Sequence, residues 1–91
     1  MTTLVVRHTV RDFDTWKSGF DAHDEVRRGH GSTGYQVLHD GNTVLVLIAF
    51  PDVASTQAFQ SDPSLREVMA KAGVIGAPDI SVWTEVDEAH N

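Results

Sequence analysis

The sequence predicts an α+β fold in the order β-α-β-β-α-β, an antiparallel sheet that carries its helices on one face. Three observations predict it. Four β-rich runs, "TTLVVRHTV", "TGYQVLHD", "TVLVLIAF" and "DISVWTEVDE", read as strands. Phe13, Trp16 and Phe20 step by three and four, the spacing of a buried helical stripe. Gly41-Asn42 separates the second run from the third, as a tight hairpin requires.

Taken in order, the first strand sends Leu4, Val6, His8 and Val10 to one side and Val5, Arg7 and Thr9 to the other. Asp12 can cap the helix that follows, and Asp14 adds a favourable charge to its first turn. Gly29 or Gly31 ends it, so one unbroken helix is expected from Asp12 to those glycines. The third strand is apolar on both faces, which fits a central strand covered on both sides. Pro51 and Asp52 stop it and open a short helix from Val53 to about Ser61. Asp62-Pro63 starts another, with Leu65, Val68, Met69 and Ala72 on its inner side and Gly73 at its close. "GVIGAP" is expected as a loop and residues 79–88 as the last strand. This is the split βαβ, or ferredoxin-like, arrangement.

A chain of 91 residues has room for one core, so a single domain spanning 1–91 is expected. Without cysteine it has neither disulfides nor a thiolate metal site, and association with a second copy is the remaining way to add burial. The sheet asks for the same thing. Both helical layers fall on one face, while the third strand and Val5 offer apolar side chains to the other. A twofold homodimer, sheet against sheet with a barrel-like interior, would cover that face.

Net charge is −6, and the seven Lys and Arg residues are scattered apart from Arg27-Arg28. A phosphate backbone or an anionic membrane surface requires clustered basic residues, so neither nucleic acid nor membrane is expected as a partner. No apolar run approaches the roughly 20 residues that cross a bilayer. Residues 1–20 also lack the pattern of an export signal, and a cytoplasmic location is expected.

Three stretches, "VVRHTVRDFDTWKSGFDAHDEVRRGHG", "AFPDVASTQAFQSDPSLREVMAKAGVIGAP" and the terminal "WTEVDE", together resemble the dimeric α+β barrel superfamily. It includes antibiotic biosynthesis monooxygenase-like domains and small polyketide cyclase-like proteins. The resemblance covers nearly the whole chain. It implies a ligand cavity between the helices and the sheet of each subunit, and it spans cofactor-free monooxygenases, cyclases, isomerases and haem-degrading enzymes. Fold alone does not choose among them.

The candidate site residues lie on that cavity's expected walls. After Phe20 the buried stripe turns to His23 and Arg27, three and seven residues on. One reading places both at the rim, with His23 on a backbone carbonyl and Arg27 paired to Asp24. The other leaves the core incomplete there, so that Trp16 and Phe20 meet the plane of an aromatic ligand and His23 or Arg27 its oxygens. On that reading, trimming either cation costs only about 1 kcal/mol of stability. Burial and the like charge of Arg27 should lower the His23 pKa. His8 stands where a third aliphatic residue would have been simple, and imidazole moves protons near neutral pH. From the rise of helix and strand, direct contact between His8 and His23 is not expected, although one ligand could bridge them. Tyr35 and Trp83 are further substrate-binding candidates, each equally suited to a dimer interface. His30 and His90 read as exposed loop and tail residues.

No HExxH motif, phosphate loop, dinucleotide fingerprint or nucleophile elbow occurs. No metal and no cofactor is therefore expected, with haem, which needs none of these motifs, left open. Two classes of function stay open. The first is a small cofactor-independent enzyme that cyclises or monooxygenates an aromatic or polyketide-type molecule, with His8, His23 and Arg27 as catalytic residues. The second is a non-catalytic small-molecule-binding or accessory dimer. A cavity of several hundred cubic ångströms would favour the first, and a filled core the second.

Overall fold

The computed structural model describes residues 1–89. Its elements are β1 (Thr2–Val10), α1 (Phe13–Ala22), α2 (Asp24–Gly29), β2 (Gly34–Asp40), β3 (Thr43–Phe50), α3 (Val53–Gln60), α4 (Pro63–Lys71) and β4 (Val74–Thr84). The strands form one antiparallel sheet in the order β2-β3-β1-β4, the ferredoxin-like arrangement. No helix of the described residues is long and apolar enough to cross a membrane.

Alternation decides which side of each strand is buried. Leu4, Val6, His8 and Val10 of β1 face the helices with Val44, Val46, Ile48 and Phe50 of β3, and all eight are buried. Trp16 and Phe20 of α1 and Phe59 of α3 close the core over them. Pairing carries the alternation outward, so Tyr35, Val37 and His39 of β2 share the helix side, and so do Ile80 and Val82 of β4. The opposite face carries Val5, Leu45 and Leu47, with Leu38 and Trp83 well exposed.

Aspartates start three of the helices. Asp12 accepts from the Thr15 amide at 2.9 Å, Asp52 from that of Ser55 at 2.7 Å, and Asp62 from that of Ser64 at 2.9 Å. Gly41, at φ 58°, makes the turn between β2 and β3. A second glycine matters for packing. A Cβ on Gly19 would stand 3.0 Å from that of Ala72, so α1 approaches the end of α4 closely only because the side chain is absent.

The structure corrects three expectations. The first helix is not continuous, because His23 (φ −91°, ψ 5°) interrupts it and donates its amide to Phe20 O at 3.2 Å in a tightened turn. "GVIGAP" is not a loop but the start of β4. There Gly76 (φ 72°) and a register shift opposite Arg7–Thr9 mark a bulge, and an outer strand tolerates Pro78. The strand also ends at Thr84, short of the expected residue 88.

Candidate functional site

Between α1, α4 and the sheet lies an apolar cavity of about 50 Å³, lined by His8, Trp16, Phe20, His23 and Arg27 among others. That volume holds a few waters at most and falls well short of the several hundred cubic ångströms of a ligand pocket. Leu65, Val68 and Met69 of α4 form its outer wall, and no residue of α4 is buried.

His8 is the anomaly of the site. It is only 7% exposed, yet neither ring nitrogen has a hydrogen-bond partner among the described residues. Its ring centroid stands 5.4 Å from that of Trp16. Burial alone pushes its pKa below the ordinary histidine value and holds the ring neutral. A neutral imidazole offers one donor and one acceptor, and here both are unused.

Trp16 and Phe20 stack at 5.1 Å and form the expected aromatic surface. Arg27 continues it, its guanidinium carbon 3.7 Å from the Phe20 centroid. It is 2% exposed, Nη1 donates to Phe20 O at 2.8 Å, and Nη2 reaches Asp24 at 3.4 Å. The residue therefore fastens the junction at which α1 breaks, and its truncation should cost about 2–4 kcal/mol rather than the roughly 1 kcal/mol expected where a ligand completes the stripe. Burial lowers its pKa against the opposing pull of Asp24, but a guanidinium stays charged. Its Nε has no partner among the described residues.

His23 also lines the cavity and is 5% exposed. Its Nε2 meets Ser64 Oγ at 2.9 Å rather than a backbone carbonyl. Burial first, then the charge of Arg27, lowers its pKa, as the sequence suggested; Asp62 opposes the shift and His30 adds to it. Ser64 Oγ donates to Asp62 Oδ1 at 2.7 Å, and Asp62 Oδ2 meets His30 Nε2 at 2.8 Å. These bonds, led by that of His30, hold the Asp62 carboxyl at about 2. His30 is thus no free loop residue, and nothing in the spacing of Asp62 and Ser64 marked them as its companions. His90 lies outside the described residues.

His8, Trp16, Phe20, His23 and Arg27 therefore come together, while Tyr35 and Trp83 do not line the cavity. Tyr35 sits behind Phe20, edge-on at 4.9 Å. Trp83 is 62% exposed on the open sheet face, where pairing with Thr3 directs it, and its Nε1 donates to Ser81 Oγ at 2.7 Å. The described residues contain no group of three or more His, Asp or Glu placed to hold a metal.

The fold is that of antibiotic biosynthesis monooxygenase-like proteins. SnoaB, a cofactor-independent oxygenase from Streptomyces nogalater, superposes with a TM-score of 0.78 at 15% identity, covering 96% of this chain and 94% of that one. A protein of unknown function from Nitrosomonas europaea gives 0.77 at 21% identity over 99% of this chain and 93% of its own. An antibiotic biosynthesis monooxygenase gives 0.64 at 9% identity over 96% and 100%. No protein-family model matches the sequence, and no curated protein matches it either. Identities this low establish a shared fold and no more.

Proposed function

We propose that the protein is a small cofactor-independent enzyme that acts on an aromatic or polyketide-type molecule in the helix–sheet cavity, by cyclisation or monooxygenation, with His8 as the group that moves the proton. One observation carries the reading: a buried, neutral imidazole with both nitrogens unused, at the edge of an aromatic surface. Leaving two polar atoms unsatisfied costs stability, and a ligand that completes them is the simplest reason to retain them. The free nitrogen of His8 takes the proton of a phenol or of a carbon beside a carbonyl. The resulting anion adds to a carbonyl carbon to close a ring, the new alkoxide taking back the proton, or adds dioxygen to form a peroxide that takes back the proton and loses water, so that one oxygen atom stays as a new carbonyl and the other leaves; the buried charge of Arg27 lowers the energy of the anion. Trp16 and Phe20 contact the ligand's plane. The likeness to SnoaB supports this at the level of fold.

The small cavity favours a second reading, a binding or accessory dimer without turnover. In both readings the open sheet face pairs with a second copy in the cytoplasm, and Trp83 belongs to that interface rather than to the ligand. The test is titration with polycyclic phenols and quinones in air, following affinity, product and oxygen uptake for the wild type and His8→Ala. Turnover lost in His8→Ala supports the enzyme; binding without product in the wild type leaves only the second reading; failure of every ligand to bind overturns both.

A further inference from the structure

We infer that Ser64 and Asp62 are positioning residues that hold His23, a residue of the cavity lining, as its Nε2–H tautomer and so make Nδ1 its accepting nitrogen. The tautomer follows from hydrogen-bond arithmetic alone. Only its use toward a ligand rests on the proposed function.

A serine hydroxyl has one proton to give. Ser64 gives it to Asp62, 2.7 Å away, because a carboxylate can only accept. Asp62 is fixed to receive it: the Ser64 amide donates to the same oxygen at 2.9 Å, and His30 Nε2 occupies the other oxygen at 2.8 Å. The Ser64 oxygen therefore meets His23 Nε2, at 2.9 Å, as an acceptor. His23 must supply the proton there, and a neutral imidazole then carries its lone pair on Nδ1. The order of groups also settles what Ser64 is not. A nucleophilic serine gives its proton to histidine, with the carboxylate behind the ring; here serine stands between the two and its proton points away from the imidazole.

Four residues from different parts of the chain thus tie the α1–α2 junction and the end of α2 to the first turn of α4, the outer wall of the cavity. A ring locked in this tautomer can accept from a ligand hydroxyl through Nδ1 and has no hydrogen there for a ligand carbonyl. That selects a donor group, a phenol rather than its ether, at this end of the cavity.

Nitrogen NMR of the ligand-free protein above pH 7.5 reads the tautomer directly. The expected spectrum of His23 shows Nε2 protonated and Nδ1 bare. In Ser64→Ala the two nitrogens move toward the averaged values of a free imidazole, and Ser64→Thr restores the wild-type pattern. A role for Ser64 in folding alone would not move these signals. In parallel, the preference for a polycyclic phenol over its methyl ether should fall about 2–10-fold in Ser64→Ala, the worth of one hydrogen bond. A proton on Nδ1 in the wild type, or signals unchanged in Ser64→Ala, overturns the inference. A phenol preference unchanged in Ser64→Ala overturns its extension to the ligand. If no phenol binds at all, the proposed function falls while the spectra still decide the tautomer.

Discussion

Replacing His8 with leucine should make the protein more stable, the reverse of most core substitutions. His8 is 7% exposed and both of its nitrogens lack partners among the described residues. Each buried unsatisfied group costs about 1–3 kcal/mol, a cost that an apolar side chain of similar volume does not bear. Against this stands the ring contact with Trp16 at 5.4 Å, worth about 0.5–1.5 kcal/mol. With two such nitrogens the balance is a gain of about 0.5–5.5 kcal/mol, and each kcal/mol raises the melting temperature of a domain this size by about 4–8 °C. Thermal unfolding by circular dichroism at pH 7.5 is the assay. A pH series sharpens it. Because burial lowers the folded pKa of His8, the unfolded chain binds more protons below about pH 6.5; wild-type stability is full above that pH and declines as pH falls toward the lowered value. His8→Leu should lose its part of this decline and keep that of His23, whose pKa is lowered too. A leucine variant less stable than wild type by 1 kcal/mol or more would refute the reasoning, because His8 would then be a well-satisfied core residue.

Phe20→Ala removes the ring between Trp16 and Arg27 and should cost about 3–5 kcal/mol by chemical denaturation. Arg27→Ala strips a bond from Phe20 O together with the stacking, for about 2–4 kcal/mol, and Arg27→Lys should recover little of it because an ammonium cannot reproduce the planar contact. Light scattering should give a mass twice 10.0 kDa, and Leu47→Asp on the open face should shift it to the monomer; a wild-type monomer at micromolar concentration would sink the dimer. Asp62 is held at about 2, so it stabilises the folded state above the ordinary carboxylate value and that contribution disappears as pH falls through about 2; carbon NMR of its carboxyl should show the late titration, and His30→Ala should move it upward.

Much of the fold was legible because it depends on period. Leu4, Val6, His8 and Val10 alternate, so their common face could be read without knowing what covered it. The break at His23 was not legible, since Phe13, Trp16, Phe20, His23 and Arg27 keep helical spacing straight through it; α1 ends in the tightened turn at His23, where the Phe20 carbonyl accepts from the His23 amide and from the Arg27 guanidinium seven residues on. Gly76 and Pro78 hid the start of β4 because they are loop formers that an outer, bulged strand accommodates. The candidate site divides in the same way. His8, Trp16, Phe20, His23 and Arg27 could be placed on facing walls from strand and helix periodicity. The chain from His23 to His30 could not, for its contacts join residues 41 and 32 positions apart, and Asp62-Pro63 could be read only as the start of a helix.

The size of the cavity bears on how a ligand enters. A planar molecule of two or three rings needs a pocket of several hundred cubic ångströms, and about 50 Å³ is present. One wall must move to admit it. The sheet side cannot move cheaply, because Leu4, Val6, Val46 and Ile48 are buried within a hydrogen-bonded ladder. Nor can α1, whose Trp16 and Phe20 belong to the core and whose end Arg27 fastens. On α4, by contrast, Leu65, Val68 and Met69 are only partly buried, and Met69 adapts readily to a new shape. Its first turn is tied through Ser64 and Asp62 and its far end packs against Gly19, so the middle of the helix is the part free to yield. Under the proposed function, ligand should therefore change amide exchange most at Leu65–Met69 and least along β1 and β3. Protection altered equally across sheet and helices would mean that the whole domain opens, and the cavity as it stands would then not be the binding site.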